Sequence, residues 1–298
     1  MNRKFRDIDA TVRGLNSATD AHFKWLVKVL RYVASREGDL PEITCTDAHH
    51  HCEFGHWLND KLLEEREDKN FLLDINKQHI VIHYACRTMI TEIIENKDAS
   101  SAYEDFENAL LAFTESLTLF KVHLLQLRTS YDALTGLPLR RVLDESFASM
   151  NKELSDDGLY LLLLDVDHFK KVNDDYGHLN GDIVLQSLAT HLDNHVRASE
   201  SVYRYGGEEF IILLHVRDDN EAIATAERLR RMISEMVIVA GEYHINVTFT
   251  SGLTRIKYGE PLREAVERAD LALYKGKASG RNCTMLINTQ RETQRYSD

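Results

Sequence analysis

In the first half of the chain, apolar positions recur in alternating steps of four and three, the spacing of one face of an α-helix. Ile8, Val12, Leu15, Thr19, His22, Leu26, Val29 and Val33 form one such face, and the helix it predicts ends before Gly38. A second face runs through Leu72, Ile75, His79, Ile82, Cys86, Met89 and Ile93. Phe106, Leu110, Phe113, Leu117, Phe120, Leu124 and Leu127 make a third. This last one persists for about three heptads, enough for a coiled-coil seam that would bury a face against a second copy. Residues 38 to 56, with Gly38, Pro41, Gly55 and the run His49, His50 and His51, predict a loop with short helical turns. Pro41, Pro138 and Pro261 are the only prolines, and the long stretch free of them suits extended helices.

The pattern changes at Asp132-Ala133-Leu134-Thr135-Gly136-Leu137-Pro138, where Gly and Pro break the helical period. Short apolar runs then alternate with helical patterns. Leu159 to Leu164 reads as a buried strand, Ile183 to Val196 as a helix, Phe210 to Leu214 as a strand and Glu221 to Met236 as a helix. Ile245 to Leu253 reads as a strand, Leu262 to Tyr274 as a closing helix, and the polar tail from Thr289 as frayed. The expected fold is multidomain. An all-α, four-helix-bundle-like domain over residues 1–128 precedes a mixed α/β (α+β) domain over residues 129–298.

Composition narrows the function. The 298 residues are 43% apolar and 28% charged, enough for two cores without disulfide staples. A formal net charge of −12 opposes generic nucleic-acid binding, so an anionic ligand needs a local basic pocket. No run approaches the roughly 18 to 20 apolar residues of a membrane span, and MNRKFRDIDA has no apolar signal core. A cytoplasmic protein without membrane insertion is expected. Cys45, Cys52, Cys86 and Cys283 are scattered, which favours thiols over disulfides and leaves room for a metal ligand.

Two constellations carry chemistry. Asp165 ends the run Leu161 to Leu164 and Asp167 follows two residues on, so strand alternation puts both carboxylates on one side of a strand's exit. Tyr203-Arg204-Tyr205-Gly206-Gly207-Glu208-Glu209-Phe210 is a glycine turn between strand-like arms. Its backbone is open to a ligand, and its acids are placed to meet a cation. Magnesium prefers one or two carboxylates together with substrate phosphates, and Asp165 with Glu208 fits that need. Alone, such a turn is equally a solvated hairpin with surface acids.

Context decides between the two. With DALTGLP, LLLLDVDHFKKVNDDYGHLNGDIVL and RADLALYKGKASGRN in order, the turn resembles the GGDEF family of diguanylate cyclases over about residues 132 to 287. The resemblance implies a palm-like nucleotidyl cyclase fold that joins two GTP into cyclic di-GMP with loss of two pyrophosphates. It implies Mg²⁺ or Mn²⁺ at the Asp165 and Glu208 carboxylates and the Val166 carbonyl, with Glu209 as a further ligand. Glu208 would activate the attacking hydroxyl; activation without a discrete base is equally consistent. Lys170 would stabilise developing charge, Asn173 and Asp182 would read guanine, His178 would touch substrate, and Lys277 and Arg281 would hold phosphates. Asp167 is left outside the site as a shaper of its loop. One GTP per domain implies a homodimer. The family's Arg-x-x-Asp product-inhibition site reads Arg197-Ala198-Ser199-Glu200 here, and the extra methylene of Glu200 shifts the acceptor.

The second constellation is His22 and His79 on apolar faces, His83 four residues after His79, and Cys52 in the connecting region. A single buried histidine is more often a hydrogen-bonded core residue than a ligand. Three imidazoles and a thiolate together would make a four-ligand site suited to Zn²⁺, and also open to copper. The set resembles the chemoreceptor zinc-binding domain over about residues 14 to 125. Cys45, His49, His50, His51 and His56 are rival ligands ranked second, with 49 to 51 a loose surface site. The two resemblances together imply a signalling enzyme with a regulatory zinc that inhibits by tying bundle helices, and biofilm phenotypes go with the family. The alternative is a non-catalytic zinc sensor that binds GTP or cyclic di-GMP. A zinc hydrolase is disfavoured because four protein ligands leave no open position.

Overall fold

The computed structural model describes residues 3–36, 41–152, 158–197, 199–288 and 290–297. It divides into two compact units, Asp7–Arg128 and Thr129–Asp298 with Met1–Arg6.

The first unit is built on α1 (Arg3–Ser35), α5 (Lys69–Ile94) and α6 (Ser100–Arg128), with α4 (Glu53–Leu63) beside them. Residues between α1 and α4 form two one-turn helices, α2 (Pro41–Thr44) and α3 (Ala48–His51). Helix α4, which the loop reading did not assign, starts where Cys52 accepts the Gly55 N–H at 3.2 Å as N-cap. Sulfur rarely caps a helix, so propensity gave no start signal. Leu15, Val29, Phe54, Leu58, Leu72, Ile82, Phe113 and Phe120 share one core. Buried Thr11 and Thr19 return their hydroxyls to the Asp7 and Leu15 carbonyls one turn back, so these two hydroxyls are satisfied.

The seam of α6 differs from its sequence reading. Phe106, Phe113, Leu117, Phe120 and Leu124 pack inside their own bundle, not against a second copy. Tyr103, Leu111, Leu119, Val122 and Leu125 are the large apolar residues that α6 leaves exposed. This doubly apolar character makes α6 the one helix, among the described residues, long and apolar enough to cross a membrane by length and composition.

In the second unit come α7 (Arg140–Lys152), β1 (Gly158–Val166), α8 (Phe169–Tyr176), α9 (His178–His195), β2 (Ser201–Arg204) and β3 (Glu209–Val216). They are followed by α10 (Asp219–Glu235), β4 (Ile238–Ala240), β5 (Tyr243–Ile245), β6 (Phe249–Arg255), α11 (Leu262–Ala278), β7 (Thr284–Ile287) and β8 (Thr293–Tyr296). The main sheet runs β2-β3-β1-β6-β7-β8, antiparallel throughout except for the parallel pair β6 and β7. β1 is buried along its whole length because helices cover both faces. Tyr160, Leu162 and Leu164 meet α9 and α10 residues such as Leu188 and Leu229. Leu159, Leu161 and Leu163 meet Leu143 and Phe147 of α7 and Ala269 and Leu273 of α11.

Two readings are corrected here. The strand expected from Ile245 to Leu253 is divided, since Ile245 ends β5 in a separate two-stranded sheet and β6 begins at Phe249. The tail expected to fray forms β8, which pairs with β7 from Thr293 opposite Ile287 to Tyr296 opposite Thr284. Backbone pairing holds it in spite of its polar composition. Thr289 itself lies outside the described residues.

Candidate functional site

β1 delivers Asp165 to the sheet end, where β3 places Glu209 directly opposite it. The intervening turn closes tightly, because the Tyr205 and Gly206 N–H groups both donate to the Glu209 carbonyl, at 2.9 and 3.1 Å. A Cβ on Gly206 would collide with the Glu209 carboxylate, whereas one on Gly207 would meet open space. The first glycine therefore serves the turn, and the second leaves a gap beside the acids. Val166 N–H donates to the Glu208 carbonyl at 3.2 Å, which fastens the turn to β1.

Burial lifts the Asp165, Glu208 and Glu209 carboxyls above their usual range, and the negative charge of Asp165 raises the two glutamates further. Lys277, at the end of α11, offsets part of this with an ion pair to Asp165 at 2.8 Å. Three crowded oxygen donors short of positive charge fit a hard divalent cation. Asp167 is committed elsewhere. It accepts from the Thr248 and Thr250 hydroxyls, each at 2.6 Å, and from the Asn282 N–H at 3.0 Å. Asn282 lies next to Arg281, so Asp167 fixes the loop that carries this cation near Asp165.

Asn173 on α8 and Asp182 on α9 come from a helix–turn–helix whose corner is Gly177, at φ +83. Gly181 brings the helices into contact; any side chain there would collide with Asn173. Asn173 is half-buried, while Lys170, His178 and Asp182 are exposed. The Glu200 carboxylate folds inward and accepts the Arg197 backbone N–H at 2.7 Å, and the Arg197 guanidinium pairs with Glu221 at 3.0 Å. Glu200 is buried, whereas the Arg197 side chain remains largely exposed. Ala198 lies outside the described residues.

Sequence reasoning missed Arg204. Its guanidinium holds Asp132 at 2.6 Å and donates to the Gly207 carbonyl at 2.7 Å, joining the Asp132–Pro138 segment to the glycine turn. The position of Arg204 just before the turn was visible, but nothing local signals a partner 72 residues away. Asp270 was missed too; it borders, with Glu209 and Lys277, a cavity of about 460 Å³.

In the helical unit, the ligand atoms of His22, His79 and His83 all lie within 4.8 Å of one another. Cys52 Sγ stands 3.3 Å from His79 Nε2. Desolvation lowers the imidazoles to about 4 for His22, about 2 for His79 and about 3 for His83, so all are neutral donors at pH 7. Burial also raises the Cys52 thiol, and the Gly55 N–H opposes this. His22 Nε2 and both His83 ring nitrogens are buried without a hydrogen-bond partner, a cost of about 1–3 kcal/mol for each unsatisfied group. A cation with tetrahedral nitrogen and sulfur ligation would satisfy His22 Nε2 and one ring nitrogen of His83, so the residues fit zinc. Of the rival ligands, His56, His50, His51 and Cys45 are exposed, and none joins the buried cluster.

A six-stranded sheet with helices on both faces and carboxylates at its strand ends beside a glycine turn defines a nucleotidyl-transfer enzyme of the palm type. Residues 129–283 match the family described as diguanylate cyclase, GGDEF domain, and the chain belongs to that family. It is 42% identical over 290 residues, 97% of this chain and 98% of the relative, to the diguanylate cyclase DgcZ of Escherichia coli. Diguanylate cyclase A of Treponema denticola is 35% identical over 63% of this chain and 53% of its own. Among solved structures, the coiled coil and GGDEF domain of DgcB from Caulobacter crescentus, in complex with c-di-GMP, superposes with a TM-score of 0.55. That match is 29% identical and covers 61% of this chain and 98% of that one.

Proposed function

We propose that this diguanylate cyclase works as a homodimer, condensing two GTP into cyclic di-GMP and two pyrophosphates, and that zinc in its helical domain inhibits it. The crowded Asp165, Glu208 and Glu209 carboxylates beside the open Gly207 carry the catalytic half of the proposal. Asp165, Glu208, Glu209 and the Val166 carbonyl would hold magnesium or manganese, which when bound would supply positive charge to the α-phosphate and the leaving pyrophosphate. Glu208 accepts the proton of the 3′-hydroxyl as the new O–P bond forms. Lys277 and Arg281 hold phosphate oxygens, and exposed Lys170 neutralises the charge that develops as the pyrophosphate bond breaks. Asn173 and Asp182 face guanine's donor and acceptor edge, with His178 beside them.

Each domain holds one GTP, so closing the ring requires a second copy. The exposed α6 residues Leu111, Leu119, Val122 and Leu125 supply apolar surface for it. Zinc ligation by His22, Cys52, His79 and His83 ties α1, the start of α4 and α5 to one point. An apparent binding energy of about 10–16 kcal/mol, as in structural zinc sites, is ample to bias bundle packing. The inward-folded Glu200 leaves product inhibition through Arg197 and Glu200 weak. An enzyme that consumes GTP works where GTP is, and we place it in the cytoplasm.

The test is metal-depleted protein incubated with GTP and Mg²⁺, with nucleotides separated by chromatography. Cyclic di-GMP and pyrophosphate are expected; intact GTP bound to a folded dimer would favour the non-catalytic sensor.

A further inference from the structure

The segment between α1 and α4 carries metal-binding donors that the inner cluster does not use. Asp47 stands at the N-cap of α3, where an aspartate ordinarily accepts first-turn N–H groups, yet its side chain makes no such bond. Its carboxylate instead accepts the Cys45 thiol at 2.6 Å and meets His51 Nε2 at 2.9 Å, one partner on each oxygen. These contacts, that with Cys45 first, hold the Asp47 carboxyl at about 2. Cys45, Asp47 and His51 are all exposed. Cys45 and His51 also line a cavity of about 610 Å³ whose wall includes His22 and Cys52.

We propose that Cys45, Asp47 and His51 form an outer site for a zinc-like divalent cation, which captures the ion at the surface and passes it to the buried ligands. The thiol and the imidazole contact opposite oxygens of one carboxylate, so a cation would draw the three donors together from these contacts, and the thiol and imidazole favour zinc over magnesium. Three protein donors leave a coordination position open, which ligand exchange requires. The inner imidazoles are shielded, with His22 5%, His79 1% and His83 4% exposed, so a hydrated ion has little direct access to them. Cys52 is less buried and follows His51 in the chain, about 3.8 Å away between Cα atoms. Both residues line the same cavity, so transfer from His51 to Cys52 crosses that shared space. Lys24 and Lys28 also border the cavity, so capture depends on the thiolate and carboxylate rather than on a negative field. The outer site stands on its own donors; the transfer rests on the inner zinc reading.

The experiment uses metal-stripped full-length protein and Co²⁺, whose thiolate absorption reports sulfur ligation, with Zn²⁺ in competition. Cys52→Ala should keep a thiolate band that disappears in the Cys45→Ala, Cys52→Ala pair. No band in a folded Cys52→Ala chain overturns the outer site. The Cys45→Ala, His51→Ala pair should still fill the inner site, but at least about tenfold more slowly in stopped-flow mixing. Loading at the parental rate overturns capture and transfer. If the inner zinc reading is itself wrong, this pair binds no metal, transfer falls, and the Cys52→Ala band is unchanged.

Discussion

The buried imidazole cluster of the helical unit and the carboxylate cluster of the cyclase unit respond oppositely to the same physical force. Desolvation favours the neutral form in both, lowering His22, His79 and His83 and raising Asp165, Glu208 and Glu209. A neutral imidazole is ready to bind a metal, so burial prepares the histidines. A neutral carboxyl is not, so the acids need positive charge nearby, and Lys277 supplies part of it. Burial thus leaves neutral nitrogen donors in a closed cluster in one region, and in the other carboxyl groups that need added positive charge to ionise.

The largest effect expected to separate the regions is that of Glu208→Gln. Product formation should fall by about a thousandfold or more while GTP still binds and zinc affinity stays parental. A variant that kept most of its turnover would remove the carboxylates from the chemistry. Next in size, Cys52→Ala or His79→Ala should weaken zinc binding about a hundredfold or more and abolish inhibition, with zinc-free turnover unchanged. Retained zinc sensitivity alongside lost binding at this site would break the coupling.

A smaller effect is expected from Arg204, the positioning residue that ties Asp132 to the Gly207 carbonyl. Arg204→Ala should lower kcat about tenfold by loosening the turn, with KM for GTP less affected and Arg204→Lys restoring only part of the rate. Equal loss in a variant that melts far below the parent would indicate a purely structural role.

Opposite pH slopes give the finest comparison. In metal-free protein the folded histidines stay neutral to about 4 or below, whereas the unfolded chain takes up protons near 6.5. Bundle stability therefore falls as pH drops through that window. For Glu208 and Glu209 the folded pKa is raised, so their contribution is full at low pH and is lost as pH rises through the folded value. Thermal melts should show His79→Leu flattening the acid loss and Glu209→Gln raising Tm near neutrality. The reverse signs would contradict the assigned environments.

Much of this was legible in the chain, and the failures have physical causes. The three long helices, the buried β1 and the site-bearing turn follow from periodicity, because one-sided burial writes itself into spacing. The seam from Phe106 to Leu127 was visible as a face, but spacing does not say which surface covers it; its own bundle does. β8 was invisible because backbone pairing can hold a polar edge strand. His22, His79 and His83, three of the four zinc ligands expected from the sequence, do cluster, with Cys52 beside His79, but the capping role of Cys52 was not foreseen. Asp167 was read as a shaper of its loop, and its carboxylate accepts from Thr248, Thr250 and Asn282. Lys277 was read only as a phosphate ligand, because no local pattern predicts its contact with Asp165.

The central claim is that the two clusters are coupled. Its most direct test is cyclic di-GMP synthesis by metal-depleted full-length protein at fixed GTP and Mg²⁺ across a buffered Zn²⁺ series. The account predicts product formation that falls as zinc rises, with Cys52→Ala shifting the curve to higher zinc. Synthesis at a constant rate while zinc fills the His22, Cys52, His79 and His83 site would contradict it.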